Sequence, residues 1–445
     1  MTMWRFALST VRARAAAYIA SACVISAGTA LLTAFAALVE TGIAVPDGGG
    51  DSLGILAAIM GGWTVVVVVF GIASTITLVV QQRNRELALI RLIGAVPEQV
   101  RTMVLVETSA VALPAVVLGL VPGIGLGAFL LDRMVAVGVV DEPVRLAVSA
   151  ATVAAGALIS LLSAMVAAVF AGRRAGMVAP VLALADASGA ATGGVSRAKS
   201  FAGVAFLLIG IGSGAGTLFA SDGPLLAAVA GPACIAVAIG AALLSPLIVG
   251  SLGRIANLVP SSVGRLAVRN LCARASDATT VVGALTLLVG VATGTLYMQS
   301  TEDSIAGRVP DAIGPQFAAA NYLVVAMIIA FSSIAVSNSL IAATWQRRRE
   351  FGLLQSTSAS RPQVLGMVAI ENAVAAAIAM VLGTIAAAAT IVPYSIVKTG
   401  SPIPGGPWWM YPAIVAAGFA VALTATSVTG VRATRMRPVL ALTTP

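Results

Sequence analysis

The 445-residue chain contains no histidine, three cysteines and two lysines, and only 10% of its residues are charged. The missing histidine excludes His-containing zinc sites and a Ser-His-Asp triad. Cys23, Cys234 and Cys272 lie far apart and give neither a disulfide framework nor a metal-ligand spacing. Of the two lysines, Lys398 is remote from any glycine-rich loop, and Lys199 falls in GGVSRAKS at 193–200. That stretch resembles the phosphate loop G-x-x-x-x-G-K-S, but Ala198 stands where the second glycine belongs. A phosphate loop also needs a strand before it and a soluble helix after it, and here an apolar run follows. The chain is therefore expected to bind no cofactor of its own and not to be an enzyme.

Apolar sequence is what the chain has in excess. It is 59% hydrophobic with mean hydropathy +1.02, beyond the range of soluble globular proteins. A helix needs about 20 apolar residues to cross a bilayer. Ten such runs are present, at 15–39, 53–80, 103–131, 146–171, 201–220, 224–250, 278–298, 318–343, 364–392 and 408–430. The fold class predicted is an all-α polytopic membrane protein with ten transmembrane helices. The segments between spans at 40–52 and 299–315 are too short to hold a large extracytoplasmic domain.

The net charge of +9 reports orientation. With the N-terminus placed inside, 22 of the 26 Lys and Arg residues fall on inside segments, and Arg133, Arg145, Arg308 and Lys398 remain outside. Cytoplasmic segments carry such an excess, so both termini are expected in the cytoplasm of a cell (plasma) membrane protein, and no nucleic-acid partner is expected. The outer segments hold 10 Asp and Glu residues against those 4 cations.

A polar break between two apolar runs occurs twice. QQRNRELALIRLIGAVPEQVRTMVLVE at 81–107 aligns without a gap on QRRREFGLLQSTSASRPQVLGMVAIE at 346–371, placing Glu86 on Glu350, Leu89 on Leu353, Gln99 on Gln363 and Glu107 on Glu371. The entry MWRFALSTVRAR at 3–14 recurs as GRLAVRNLCAR at 264–274, and the exit PVLAL at 180–184 recurs at 438–442. Two parallel four-helix halves follow, 1–186 and 261–445, with a linker and two extra spans at 187–260 between them. Trp4, Leu8 and Val11 make the first entry amphipathic. A signal peptide cut near Ala34-Phe35-Ala36 is the competing reading. The length of the apolar run and the internal recurrence of the entry favour retention.

Within each break the sequence predicts a short elbow helix. Glu86 sits at its start, where the helix dipole favours a carboxylate, and Arg83 is spaced to pair with it. Leu87, Ile90 and Gly94 form one face, suited either to a groove on a partner or to lipid headgroups. Glu107 and Glu371 are intramembrane acidic residues, expected to form structural pairs with Arg101 and Arg361 rather than to carry protons. Gly119, Gly123, Gly125 and Gly127 give two G-x-x-x-G spacings, which read as a tight packing seam or as the ordinary glycine content of membrane helices.

At Arg83–Ala95 the chain resembles the FtsX-like (MacB-type) permeases of ABC transporters, whose hallmark is R-x-x-E-[ILF]-[AG]-[LI]-L-[RK]-x-[LI]-G-A before an apolar helix with an early Glu. The second copy departs from it, with Ser358 in place of Gly94 and STSAS in place of a helix-forming run. The resemblance covers 1–180 and 260–445 and not the middle. It implies a transmembrane permease subunit, of exporter or mechanotransmission type, acting with two copies of a separate cytosolic ATPase that binds the ATP. It also assigns ATPase coupling to Arg83, Glu86, Leu87, Leu89, Ile90, Arg91 and Gly94, and to Arg347, Glu350, Phe351, Leu353 and Leu354. Many relatives carry a large extracytoplasmic domain, which is missing here. The substrate expected is one met within the membrane: hydrophobic, lipid-linked, or a cationic peptide or drug. The alternatives are a membrane sensor driven by the same ATPase and an ion-coupled secondary transporter, the latter disfavoured by sparse intramembrane charge.

Overall fold

The computed structural model describes residues 15–45, 51–136, 144–177, 197–220, 224–251, 261–273, 275–306, 314–356 and 360–435. The N-terminal entry, the possible phosphate loop up to residue 196 and both PVLAL exits lie outside them. Thirteen helices form among the described residues: α1 (Ala15–Ala44), α2 (Asp51–Gln82), α3 (Asn84–Leu92), α4 (Pro97–Ala136), α5 (Ala150–Met177), α6 (Arg197–Thr217), α7 (Pro224–Ser251), α8 (Ser262–Ala273), α9 (Ala275–Ala306), α10 (Gly314–Gln346), α11 (Arg348–Ser356), α12 (Arg361–Thr399) and α13 (Met410–Arg435). Ten are long and apolar enough to cross a membrane, and they coincide with the ten predicted runs. The other three are the elbows α3 and α11 and the second entry helix α8.

Several helices outrun their apolar cores. The polar sequence QSTEDSIA, expected as part of an outer loop, continues α9 to Ala306. Gln299 and Tyr322 hydrogen-bond the two carboxylate oxygens of Asp303, at 2.7 and 2.8 Å, and Asn321 bonds Gln299. These bonds between the facing ends of α9 and α10 sustain helix beyond the hydrophobic run.

The chain divides into two compact units. The first comprises 1–191, 222–228 and 299–331, and the second 192–221, 229–298 and 332–445. The central stretch 187–260 is thus shared between the units. In the first unit α1 packs against α2, α4 and α5. Gly119 of α4 faces the Ser26 carbonyl of α1, Gly123 faces the Ala30 carbonyl and Gly127 faces Ala34, at approaches that leave no room for larger side chains at the first two. Gly125 points into open space. The G-x-x-x-G series is therefore a packing seam carried by three of its four glycines. In the second unit Gly383, the register equivalent of Gly119, packs against Val289 and Gly290 of α9. The extra helix α6 packs on α12, with Gly214 against the Ala389 carbonyl.

Several hydroxyls in the spans close on their own helices. Thr29 donates to the Ile25 carbonyl, Thr64 to Met60 and Thr295 to Val291, at 2.7–2.8 Å. Each hydroxyl is thereby satisfied where water is absent.

Candidate functional site: two charged joints at the elbows

The spans α2 and α10 each end at a single non-helical arginine, after which an elbow helix begins. At the first break, the Arg83 amide donates to the Val80 carbonyl at 3.0 Å, and the Arg83 carbonyl accepts from Leu87 at 2.9 Å. Both backbone groups of Arg83 are thus hydrogen-bonded at the turn. Arg347 stands at the second break and accepts from Phe351 at 3.1 Å.

Each arginine is a joint between its elbow and the span that follows. The Arg83 guanidinium is ion-paired through Nη1 to Glu107 of α4 and through Nε to Glu86 of α3, the latter at 3.4 Å. Its Nη1 also donates to Tyr18 Oη of α1 at 3.2 Å, and that hydroxyl donates to Glu107 Oε2 at 3.2 Å. Arg83 and Glu107 are both buried. Arg347 repeats the arrangement, with Nη1 and Nη2 on the two oxygens of Glu371 and Nε on Glu350 at 3.4 Å. One planar guanidinium bridges two carboxylates in both places, a geometry suited to its rigid fork of donors.

The expected partners of the intramembrane acids are corrected here. Arg83 and Arg347, not Arg101 and Arg361, take Glu107 and Glu371. Arg361 is exposed at the first turn of α12, and Arg101 Nε is buried with no hydrogen-bond partner among the described residues. Sequence distance misled, because each elbow folds back and brings the residue before it against the span after it. The signal available was register. Arg83 aligns with Arg347 as Glu107 does with Glu371, whereas Arg101 and Arg361 align with Leu365 and Pro97.

The expected docking face is also corrected. Leu87 is turned inward and lines a small crevice with Tyr18, Arg83, Val104 and Glu107. Its equivalent Phe351 is fully buried against Ala267, Val364, Met367 and Val368, with Leu354 packed on the same cluster. Ile90 and Arg91 are half-buried, and Gly94 is exposed. The residues facing outward are Leu89, 47% exposed, with Leu92, Ile93 and Val96, and on the second elbow Leu353, 53% exposed. A short amphipathic helix gives its wider apolar face to the nearest bundle, which leaves the leucine on the opposite side outside.

The first elbow closes in a Schellman motif: Gly94 donates to the Arg91 carbonyl at 3.1 Å and Ala95 to the Ile90 carbonyl at 3.2 Å. Gly94 has φ 109°, a conformation open to glycine. Beyond Ser356 the second elbow enters residues 357–359, outside the described residues. Both following spans then start alike. The Gln99 side chain accepts from the Val96 amide at 3.1 Å, and that of Gln363 accepts from the Ser360 amide at 2.9 Å within a capping box.

The joints differ electrostatically. Tyr18 serves the first, and the entry repeat carries position 18 onto Ala278. Arg347 instead stacks on Phe351, 5.5 Å from the ring centroid, and its side chain is 19% exposed. Burial lowers the Arg347 pKa, but the hydrogen bonds and charges of Glu371 and Glu350 outweigh it and hold the group above the ordinary arginine range.

The chain is thus a polytopic helical protein with two arginine-centred joints in the same register, each linking an elbow helix to the long span that follows it. The family model of the FtsX-like permease C-terminal domain matches residues 58–178 and again 322–438, each match enclosing one elbow and its joint. The chain belongs to this family, with two FtsX-like halves, and is thus a permease subunit of ABC-transporter type that associates with an ABC ATPase in the membrane. No curated protein matches the chain.

Proposed function

We propose that the chain is the permease subunit of an exporter or mechanotransmission system, in which two copies of a cytosolic ATPase engage one elbow each. The observation that carries this reading is the duplicated joint, Arg83 between Glu86 and Glu107 and Arg347 between Glu350 and Glu371. Closure of the ATPase pair moves Leu89 and Leu353. Arg83 and Arg347 pass that motion to α4 and α12, which carry it outward. The division of basic residues supports cytoplasmic elbows and termini. The short outer segments favour a substrate taken from within the membrane, hydrophobic or lipid-linked, and their acidic excess favours a cationic peptide or drug.

The test is reconstitution in vesicles. The purified chain alone is expected to hydrolyse no ATP, and hydrolysis is expected to rise when the cognate ATPase is bound to it. Hydrolysis by the isolated chain, insensitive to Lys199→Ala and shown free of contaminants, contradicts a separate energy-supplying subunit.

A further inference from the structure

The connection between α12 and α13, residues 400–409 with the sequence GSPIPGGPWW, is ordered although it is not helical. Gly400 ends α12 in the left-handed conformation, its amide bonded to the Ile396 carbonyl at 2.9 Å. Ser395 Oγ then donates to the Ile403 carbonyl at 2.9 Å, and the Ile403 amide to Ser401 Oγ at 3.2 Å. Pro402, Pro404 and Pro407 fix three further φ angles. The amides of Met410 and Ala413 close on the carbonyls of Pro407 and Trp409 at 3.1 and 3.0 Å, starting α13. This strap holds large apolar groups outward: Trp408 is 84% exposed, Trp409 57% and Ile403 75%. Tyr411 turns the other way, its hydroxyl 2.7 Å from Thr384 Oγ1.

Depth along α12 says what covers these groups. Glu371, paired with Arg347 at the start of the elbow, lies at the elbow end of α12. From there to Thr399 is 28 residues, about 42 Å at 1.5 Å per residue, against about 40–45 Å for a bilayer with its headgroups. The strap therefore leaves α12 at the far headgroup level. Met410 begins the next helix long and apolar enough to cross a membrane. Indoles belong at this boundary, with an apolar ring for the acyl chains and an N–H for the headgroups. The corresponding connection of the first half, VGVVDEPVRLAVS at 137–149, has no aromatic residue.

We propose that the 400–409 strap is a lipid-binding anchor, with Trp408, Trp409 and Ile403 seated at the headgroup–acyl boundary of the leaflet away from the elbows. It fixes the outer end of the second half's α12–α13 pair to the lipid surface, and the first half has no such aromatic anchor.

The experiment compares the full chain with a Trp408→Phe/Trp409→Phe variant in phosphatidylcholine vesicles brominated either near the headgroup or near the bilayer centre. The fluorescence lost on substitution is the signal of the pair. It is expected to be blue-shifted from indole in water and quenched at least twofold more by shallow than by deep bromines. Emission at the wavelength of indole in water, unquenched by either lipid, overturns the proposal by placing the strap in solvent. A blue-shifted signal unquenched by both overturns it in favour of cover by protein, and stronger quenching by the deep bromines places the pair in the hydrocarbon instead.

Discussion

Arg83 is a buried cation with two carboxylates and a phenol around it, and its energetics are those of a network rather than of a surface pair. Removing one member of a buried pair strands the other, at a cost of about 3–5 kcal/mol, whereas replacing both by neutral groups of similar volume is often tolerated. Arg83→Ala is therefore expected to lower thermal stability in detergent sharply, and Arg83→Met/Glu107→Gln to recover most of the loss. Fluorescence-detected thermal unfolding of the two variants checks this, and a double variant as unstable as the single one contradicts the pairing. The recovered protein is nevertheless expected to show weak ATPase coupling, because the link from elbow to α4 is gone. Arg347→Ala is expected to cost less than Arg83→Ala, since its side chain is 19% exposed against 6% for Arg83 and water replaces part of what is lost. These pairings were legible in the repeat register and not in sequence distance. The inward turn of Leu87 was not legible at all, because an amphipathic pattern shows that a helix has an apolar face without showing which neighbour takes it.

The elements most readily read from sequence were the spans, where apolar length decides, and their seams were half legible. The glycine series offered a close approach as one of two readings, and both that choice and the split between Gly119, Gly123 and Gly127 on one side and Gly125 on the other needed the rotation of α4 against α1. Gly119→Val is expected to destabilise by about 1–3 kcal/mol through overpacking, and Gly125→Val to stay within about 0.5 kcal/mol as a surface change; equal shifts in the two melting curves contradict the seam. The elbows yield a second prediction at this scale. The first is made of good helix formers and closed by Gly94, whereas the second ends in hydroxyl residues that compete for backbone hydrogen bonds. The first is expected to be the stiffer lever. With expression matched, Leu89→Asp is expected to reduce chain-dependent stimulation of the ATPase more than Leu353→Asp, and the reverse order contradicts that asymmetry.

At the scale of the whole molecule, the division of the basic residues predicts the orientation. In a background without native cysteines, an impermeant thiol reagent applied to intact cells is expected to label a cysteine introduced at Asp47 and not one at Ser188; labelling at 188 alone reverses the topology. Fold and family were legible because the elbow sequence occurs twice, in a chain whose apolar runs have few other folds open to them. The 400–409 strap was not legible, because two adjacent tryptophans acquire meaning only once their distance from the charged joint is known. The central claim is that both elbows meet the ATPase. A photo-crosslinking amino acid placed at 89, at 353, or at the span residue Ile55 as a control, in the chain co-purified with its ATPase, tests it most directly. Adducts of chain and ATPase are predicted from 89 and from 353 and none from 55, whereas the absence of ATPase adducts from either elbow, or their equal appearance from 55, contradicts the account.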